Sequence, residues 1–171
     1  MTSSSKKQPQ KVNRAGFRLS AARLSAVQAL YEIEVAGADS ESVLKSFIEK
    51  RWRDVTLQDP DLKPEDSDKA RLANPDPDYL TKLVQGVVSE RSRLVTELDS
   101  ILSGEWTAER LDTLMRMLLC LAAFEFIFQT DVPKRVLISE YASLAHAFFE
   151  DNEASFAAGI LSSLATSLRP E

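Results

Sequence analysis

The sequence is poor in the residues on which most catalytic and metal-binding sites depend. Among 171 residues there are one cysteine, one histidine and five glycines. A single cysteine excludes an internal disulfide, and an isolated histidine does not supply the ligands of a zinc site. The chain also lacks a glycine-rich phosphate loop and a Gly-x-Ser-x-Gly nucleophile motif. We therefore predict that the protein is not an enzyme and needs no cofactor or metal.

Long hydrophobic runs are absent as well. The longest is Met117–Phe124, eight residues, whereas a membrane-spanning helix needs about 20. The first 16 residues are basic but are not followed by an apolar stretch, so they do not read as a signal peptide. We expect a cytoplasmic protein without membrane contact. Cys120, in the middle of the apolar run, is expected to be a core residue, and His146 an ordinary packed or surface histidine.

Charge is unevenly distributed. The net charge is −5, yet residues 1–23 contain six basic residues and no acid, which leaves −11 on the other 148 residues. We predict a flexible basic arm over residues 1–17 and a single domain over 18–171. Such an arm can neutralise phosphates locally even on an acidic protein, but it can also be a solvated tail without a ligand. Charge alone leaves these alternatives open.

Hydrophobic periodicity predicts an all-α bundle without a sheet. The predicted helical segments are 19–36, 39–52, 78–103, 111–129, 134–149 and 152–168. The first helix is apolar on opposite sides, with Leu30 on one and Tyr31 and Val35 on the other, so we expect neighbours on two sides. Gly37 should end it.

Between the second and third helices, residues 53–78 contain four prolines and eight acids and predict a long acidic loop. Asp151 or Asn152 is the expected N-cap of the last helix. Within the apolar segment 111–129, Arg116 and Glu125 are the only interior charges, and we expect each to lie at an edge or to pair with another helix.

RNA recognition typically combines cations on phosphates with an aromatic ring against an unstacked base. Most aromatic residues fall at core positions. Phe156 is ambiguous because it lies in the first turns of the last helix, and its spacing alone favours the core.

Several short motifs occur in a defined order along the chain. They are AR-x-x-A-x-QALY at Ala22–Tyr31, an aromatic-Glu pair at Phe124–Glu125, DVP at Asp131–Pro133, ISEY at Ile138–Tyr141 and SF-x-x-G-x-L at Ser155–Leu161. Each is weak alone. Together they resemble the NusB family of bacterial transcription antitermination proteins.

The resemblance implies an all-helical fold of two helical subdomains. It also implies binding of boxA RNA in ribosomal RNA transcripts, together with the ribosomal protein NusE, within an RNA polymerase antitermination complex. Carried over by position, the implied RNA contacts are Lys11, Arg14, Arg18, Arg23, Gln28 and Phe156. The implied NusE surface includes Glu109 and Arg116. Phe156 thereby becomes an expected base contact.

The chain departs from the family pattern at two positions, and also in having fewer basic residues on the first helix and a longer acidic loop at 53–78. Ala158 stands where the family usually has Asn, and Cys120 where an Arg is often found. An alternative is therefore a diverged helical scaffold for protein interactions with weak or no RNA binding. A relative of the helical domain attached to some ribosomal RNA methyltransferases is a third reading, although nothing in the sequence would bind a methyl donor.

If RNA binds through the basic residues, its affinity must depend on salt. With about four to six cations on phosphates, a plot of log affinity against log salt should have a slope of about −3 to −4, at about 0.7 per phosphate of a single strand. Fluorescence anisotropy over a salt series measures this slope. An affinity that does not change with salt would exclude binding through the arm.

Overall fold

The computed structural model describes residues 14–51 and 74–170, without the side chains of Arg14, Lys50 and Arg51. Within these ranges all regular structure is helical, as predicted. The α-helices are α1 (Arg14–Ala36), α2 (Ser40–Ser46), α3 (Pro77–Ser89), α4 (Arg91–Ile101), α5 (Thr113–Phe128), α6 (Lys134–Phe148) and α7 (Asp151–Leu168). A π-helical turn, Phe47–Arg51, follows α2, and a 3-10 turn, Ala108–Arg110, precedes α5. None of the described helices is both long and apolar enough to cross a membrane.

Helix α5 is the centre of the bundle. Its sequence is apolar nearly all round, and every residue from Met117 to Phe126 is buried. Helices α1, α3, α4, α6 and α7 all pack against it. The N-terminal group consists of α1, α2 and α3, and the C-terminal group of α4 to α7, so that α5 joins two helical subdomains around one core. A helix without a polar face must be covered on all sides, which explains its position.

Aspartates begin three of the helices. The carboxylates of Asp39, Asp76 and Asp112 accept hydrogen bonds from backbone amides in the first turns of α2, α3 and α5. These amides have no partner within the helix, so each cap stabilises its helix start by about 1 kcal/mol. The predicted N-cap of α7 was wrong. Asp151 is already helical, and Glu150 occupies the cap position without a side-chain hydrogen bond.

The predicted helix 78–103 is two helices in the structure. Glu90 leaves the helical conformation with φ −100° and ψ 13°, which separates α3 from α4. The first half packs on α1 and α5 through Leu83 and Val87, and the second packs on α5 and α7 through Leu94 and Leu98. The hydrophobic spacing continues through the break because both halves are amphipathic, so the spacing does not reveal the break. The chain changes direction there because each half packs on different neighbouring helices.

Two further expectations for the first helix need correction. It begins at Arg14, so residues 14–17 of the predicted flexible arm are helical. Its second apolar side is covered only in part: Tyr31 is 40% exposed and Val35 61% exposed, whereas Leu24 is half-buried and lines a cavity together with Ser143 and Leu144 of α6. Gly37 does end the helix, as predicted, with a φ of +61° that favours glycine.

The structure describes only part of the predicted N-terminal arm and acidic loop. Lys11 and the rest of segment 1–13 lie outside the described residues. So do residues 52–73, which include most of the predicted loop 53–78. The loop prediction extends slightly too far, because α3 begins at Pro77, the first-turn position at which proline is tolerated.

Gly86 allows α3 to approach α5 closely. A Cβ atom built on Gly86 would lie 2.1 Å from the ring atom Cζ of Phe124, which is 5% exposed. The ring is held by its surroundings, so an added methyl group would force the helices apart. An interior glycine that lowers helix propensity is therefore required by packing.

We predict that Gly86→Ala destabilises the protein by about 1–3 kcal/mol, the usual cost of overpacking, despite the better helix propensity of alanine. The free energy of unfolding from urea denaturation measures this change. Gly159→Ala is the matched control, because Gly159 also lies within a helix but has no neighbour within 4 Å of its added Cβ. This variant should gain about 0.5–1 kcal/mol. Equal effects of the two substitutions would contradict the packing argument.

Candidate functional site

A buried ion pair lies at the junction of α1 and α5. The carboxylate of Glu125 accepts hydrogen bonds from Arg23 Nε at 2.7 Å and Arg23 Nη2 at 3.1 Å. Tyr79 of α3 and Tyr141 of α6 donate their hydroxyl groups to the same carboxylate. Four helices thus contribute to one polar cluster inside the core.

Burial and the Glu125 charge shift the pKa values in this cluster. Burial and then the adjacent carboxylate raise the pKa of Tyr79 and Tyr141, so both phenols stay protonated and donate. Burial alone would lower the pKa of Arg23, but the hydrogen bonds and charge of Glu125 raise it above its usual value. The arginine therefore remains charged although it is enclosed. The expected partner of Glu125 on another helix is confirmed.

The same pairing argues against Arg23 as an RNA contact. Its side chain is only 3% exposed, and Glu140 of α6 lies 3.6 Å from its Nη1 atom. Ser20 donates a 2.9 Å hydrogen bond to Glu140, which extends the cluster along α1. A guanidinium enclosed by two carboxylates and a phenol is not available to a phosphate. The sequence prediction for Arg23 is corrected to a structural role.

The other predicted contacts on α1 remain at its surface. Arg18 and Gln28 are both exposed, one near the beginning of the helix and the other two to three turns later. Arg14 is the first residue of α1, and its side chain is not described. Phe156 lies on α7, which packs on α5 and α6. The described RNA contacts predicted from the sequence therefore lie on two helices, α1 and α7, and α5 packs against both.

Phe156 lies at the surface, although its spacing along the helix favours a core position. It is 38% exposed and faces Trp106, which is 53% exposed, with ring centroids 5.9 Å apart and planes tilted by 48°. The two rings line a cavity of about 490 Å³, which we call the aromatic groove. Its other lining residues are Arg110, Leu111, Asp112, Met115, Phe149, Asn152 and Glu153.

Glu109 and Arg116, the predicted partner contacts, line a second cavity of about 630 Å³. There Glu34 of α1 accepts a hydrogen bond from Arg116 Nη2 at 3.3 Å and another from Arg91 of α4. Arg116 thus pairs with another helix, as expected. Its Nε atom is buried and has no hydrogen-bond partner within the described part of the chain.

Cys120 is a core residue, in agreement with the prediction. The residue is 1% exposed, and burial raises the pKa of its thiol to about 11, although the charges of Arg116 and Arg91 oppose the shift. A thiol that is protonated and enclosed at neutral pH is a poor nucleophile. His146 is exposed in the last turn of α6.

Sequence reasoning missed Trp106 and Arg169. Trp106 lies between helices in the polar segment SGEWTAER, where a large aromatic ring has little core to enter; this was the available signal. Arg169 follows α7 and donates to the carbonyls of Phe126 at 2.7 Å and Glu125 at 3.0 Å, near the end of α5. No spacing rule pairs residues so distant in sequence.

The described residues define an all-helical bundle in which the cysteine and the central ion pair are enclosed, while Arg18, Gln28 and Phe156 lie at the surface. Comparison with known proteins gives the family. The sequence profile of the NusB family matches residues 20–166, and the chain belongs to this family.

Individual relatives match over most of their length. The chain is 36% identical to the transcription antitermination protein NusB of Maricaulis maris over 171 residues, which covers all of this chain and 99% of the relative. It is 38% identical to the corresponding protein of Caulobacter vibrioides over 150 residues, 88% of this chain and 93% of the relative.

The fold agrees with solved structures of the family. The structure of the antitermination factors NusB and NusE in complex with dsRNA contains a chain that matches with a TM-score of 0.67 and 19% identity. The match covers 89% of this chain and 98% of that one. At this identity the similarity supports the all-helical fold.

We predict that Glu125→Gln destabilises the protein by about 3–5 kcal/mol, because it removes the closer counterion of the buried Arg23 charge and leaves only Glu140, 3.6 Å from Nη1. Urea denaturation followed by circular dichroism measures the loss. Glu105→Gln is the matched control, since Glu105 pairs with Arg110 at 3.8 Å but is 96% exposed. Surface pairs contribute little, so this variant should be as stable as the wild type. A small loss in Glu125→Gln would show that the buried pair is not essential.

Proposed function

We propose that this protein is an RNA-binding transcription antitermination factor. It binds boxA-type RNA of ribosomal RNA transcripts together with NusE, and acts within the RNA polymerase antitermination complex in the cytoplasm. Family membership over nearly the whole chain supports the antitermination role. The main support for RNA binding is the exposure of Phe156, whose large apolar ring lines a cavity. Stacking against a nucleobase would remove this ring from water.

The proposed RNA surface has two parts. Arg18 and Gln28 on α1, with Lys11 and Arg14 of the N-terminal segment, contact the phosphates and sugars. Phe156 stacks against a base. Arg23 supports this surface indirectly, because its bonds to Glu125 fix the rotation of α1 and therefore the side on which Arg18 emerges.

NusE is proposed to dock over the second cavity, next to Glu109 and Arg116. Glu109 is exposed there, and its carboxylate can accept hydrogen bonds from a partner's cations. Arg116 is held against Glu34 by its 3.3 Å hydrogen bond and so keeps the shape of this cavity.

The first test is fluorescence anisotropy with labelled boxA RNA and a scrambled RNA of equal length, each with and without NusE. We expect preference for boxA and tighter binding when NusE is present. Equal, weak binding to both RNAs that NusE does not change would contradict the proposal. NusE binding without any RNA binding would instead identify the protein as a protein-interaction scaffold.

Substitutions then test the proposed contacts. Phe156→Ala should lose about 1–3 kcal/mol of RNA binding because a stacked base loses its aromatic surface. Arg18→Ala should reduce the salt dependence by about one phosphate contact, a slope change of about 0.7. Lys45→Ala removes an exposed cation of α2 outside the proposed surface and is the matched control for Arg18→Ala. If Phe156→Ala instead lowers thermal stability and leaves RNA affinity unchanged, the ring is structural.

A further inference from the structure

Trp106 is held in place rather than left to move freely on its loop. The following residues form the 3-10 turn Ala108–Arg110, and the amide of Ala108 donates a 2.7 Å hydrogen bond to Asp99 Oδ1 of α4. Arg110 Nη1 donates to the carbonyl oxygen of Glu105 at 3.0 Å. Residues on both sides of the indole are thus anchored. An exposed ring on an anchored segment loses little conformational entropy when a ligand stacks on it.

The two rings leave surface available to a ligand. Because Trp106 and Phe156 are tilted by 48° and lie 5.9 Å apart, neither covers the face of the other completely. Leu111, Met115 and Phe149 add apolar side chains to the lining of the groove. The groove volume of about 490 Å³ lies within the range of small-ligand sites, about 300–1,000 Å³.

The polar rim of the groove is rich in acceptors. Glu153 carries a carboxylate and Asn152 an amide, while the carboxylate of Asp112 also accepts the two backbone amides that it caps at the start of α5. Arg110 is the only cation among the described lining residues, and its Nη1 donates to the carbonyl oxygen of Glu105. A carboxylate can only accept hydrogen bonds, so the Glu153 side of the rim favours N–H donors. This side of the groove therefore suits a nucleobase edge that carries an amino group.

We propose that Trp106 is a second base-contacting residue, which together with Phe156 holds one unpaired nucleobase that carries an exocyclic amino group. This inference rests on the proposed RNA binding and adds a residue and a base preference to it. Cytosine presents an amino donor at the position where uracil presents a carbonyl acceptor. Both are single-ring bases, so a comparison between them isolates the hydrogen bond.

The chain offers a direct optical test. It has two tryptophans, so Trp52→Phe leaves Trp106 as the only indole. Titration of this full-length variant with oligocytidine and oligouridine RNAs of equal length should quench Trp106 fluorescence in both cases. The oligocytidine should bind about 2- to 10-fold more tightly, the contribution of one hydrogen bond.

Substitutions separate stacking from hydrogen bonding. Trp106→Ala should weaken oligocytidine binding by anisotropy about 5- to 150-fold, as expected for one stacked base, whereas Trp106→Phe should retain most of the affinity. Glu153→Gln supplies a donor as well as an acceptor and should reduce the preference for cytosine. Phe128→Ala is the matched control, because Phe128 is 39% exposed but does not line the groove.

The outcomes distinguish this inference from the function on which it rests. If the wild type binds RNA but Trp106 fluorescence does not respond and Trp106→Ala binds normally, the inference is wrong and RNA binding stands. If the wild type binds no RNA, the proposed function itself fails. A fluorescence response to NusE but not to RNA would identify the groove as a protein contact and overturn the inference.

Discussion

The carboxylate of Glu125 is the constraint on which the structure depends. It lies inside the most apolar helix, where an unpaired charge would cost several kcal/mol, and it is bound by Arg23, Tyr79 and Tyr141. These donors come from α1, α3 and α6, so a shift of any of these helices along its axis would separate a donor from its acceptor. Hydrophobic burial holds the bundle together, while this cluster selects one alignment of its helices.

That alignment also determines what remains at the surface. Because the Arg23 side of α1 faces the core, Arg18 and Gln28 are left in solvent. The first residues of α5 lie near α7, and residues of the segment 106–116 line both cavities. In the proposed function, the RNA and NusE would contact neighbouring residues of one segment. This proximity offers a physical route by which one partner could strengthen the binding of the other.

Most helices could be predicted because apolar spacing and Gly37 are local signals. The break at Glu90 was not, since α3 and α4 are each amphipathic and only their different neighbours require the turn. Tyr31 and Val35 were expected to be buried because their spacing is apolar, yet spacing does not reveal whether a neighbour covers that side. The candidate site was less predictable than the fold. Arg23 has the charge of an RNA contact, and its enclosure depends on Glu125, 102 positions away.

The sequence by itself determined the helical class, the central position of segment 111–129 and the core location of Cys120, because each follows from local hydrophobicity. Its ordered motifs also indicated the family. Only the tertiary structure decided that Arg23 is enclosed, that Phe156 is exposed, and that Trp106 lies beside it. Whether a residue is exposed depends on neighbours that are distant in sequence. The helical period shows which residues share a side of a helix, and only packing determines which side is exposed to water.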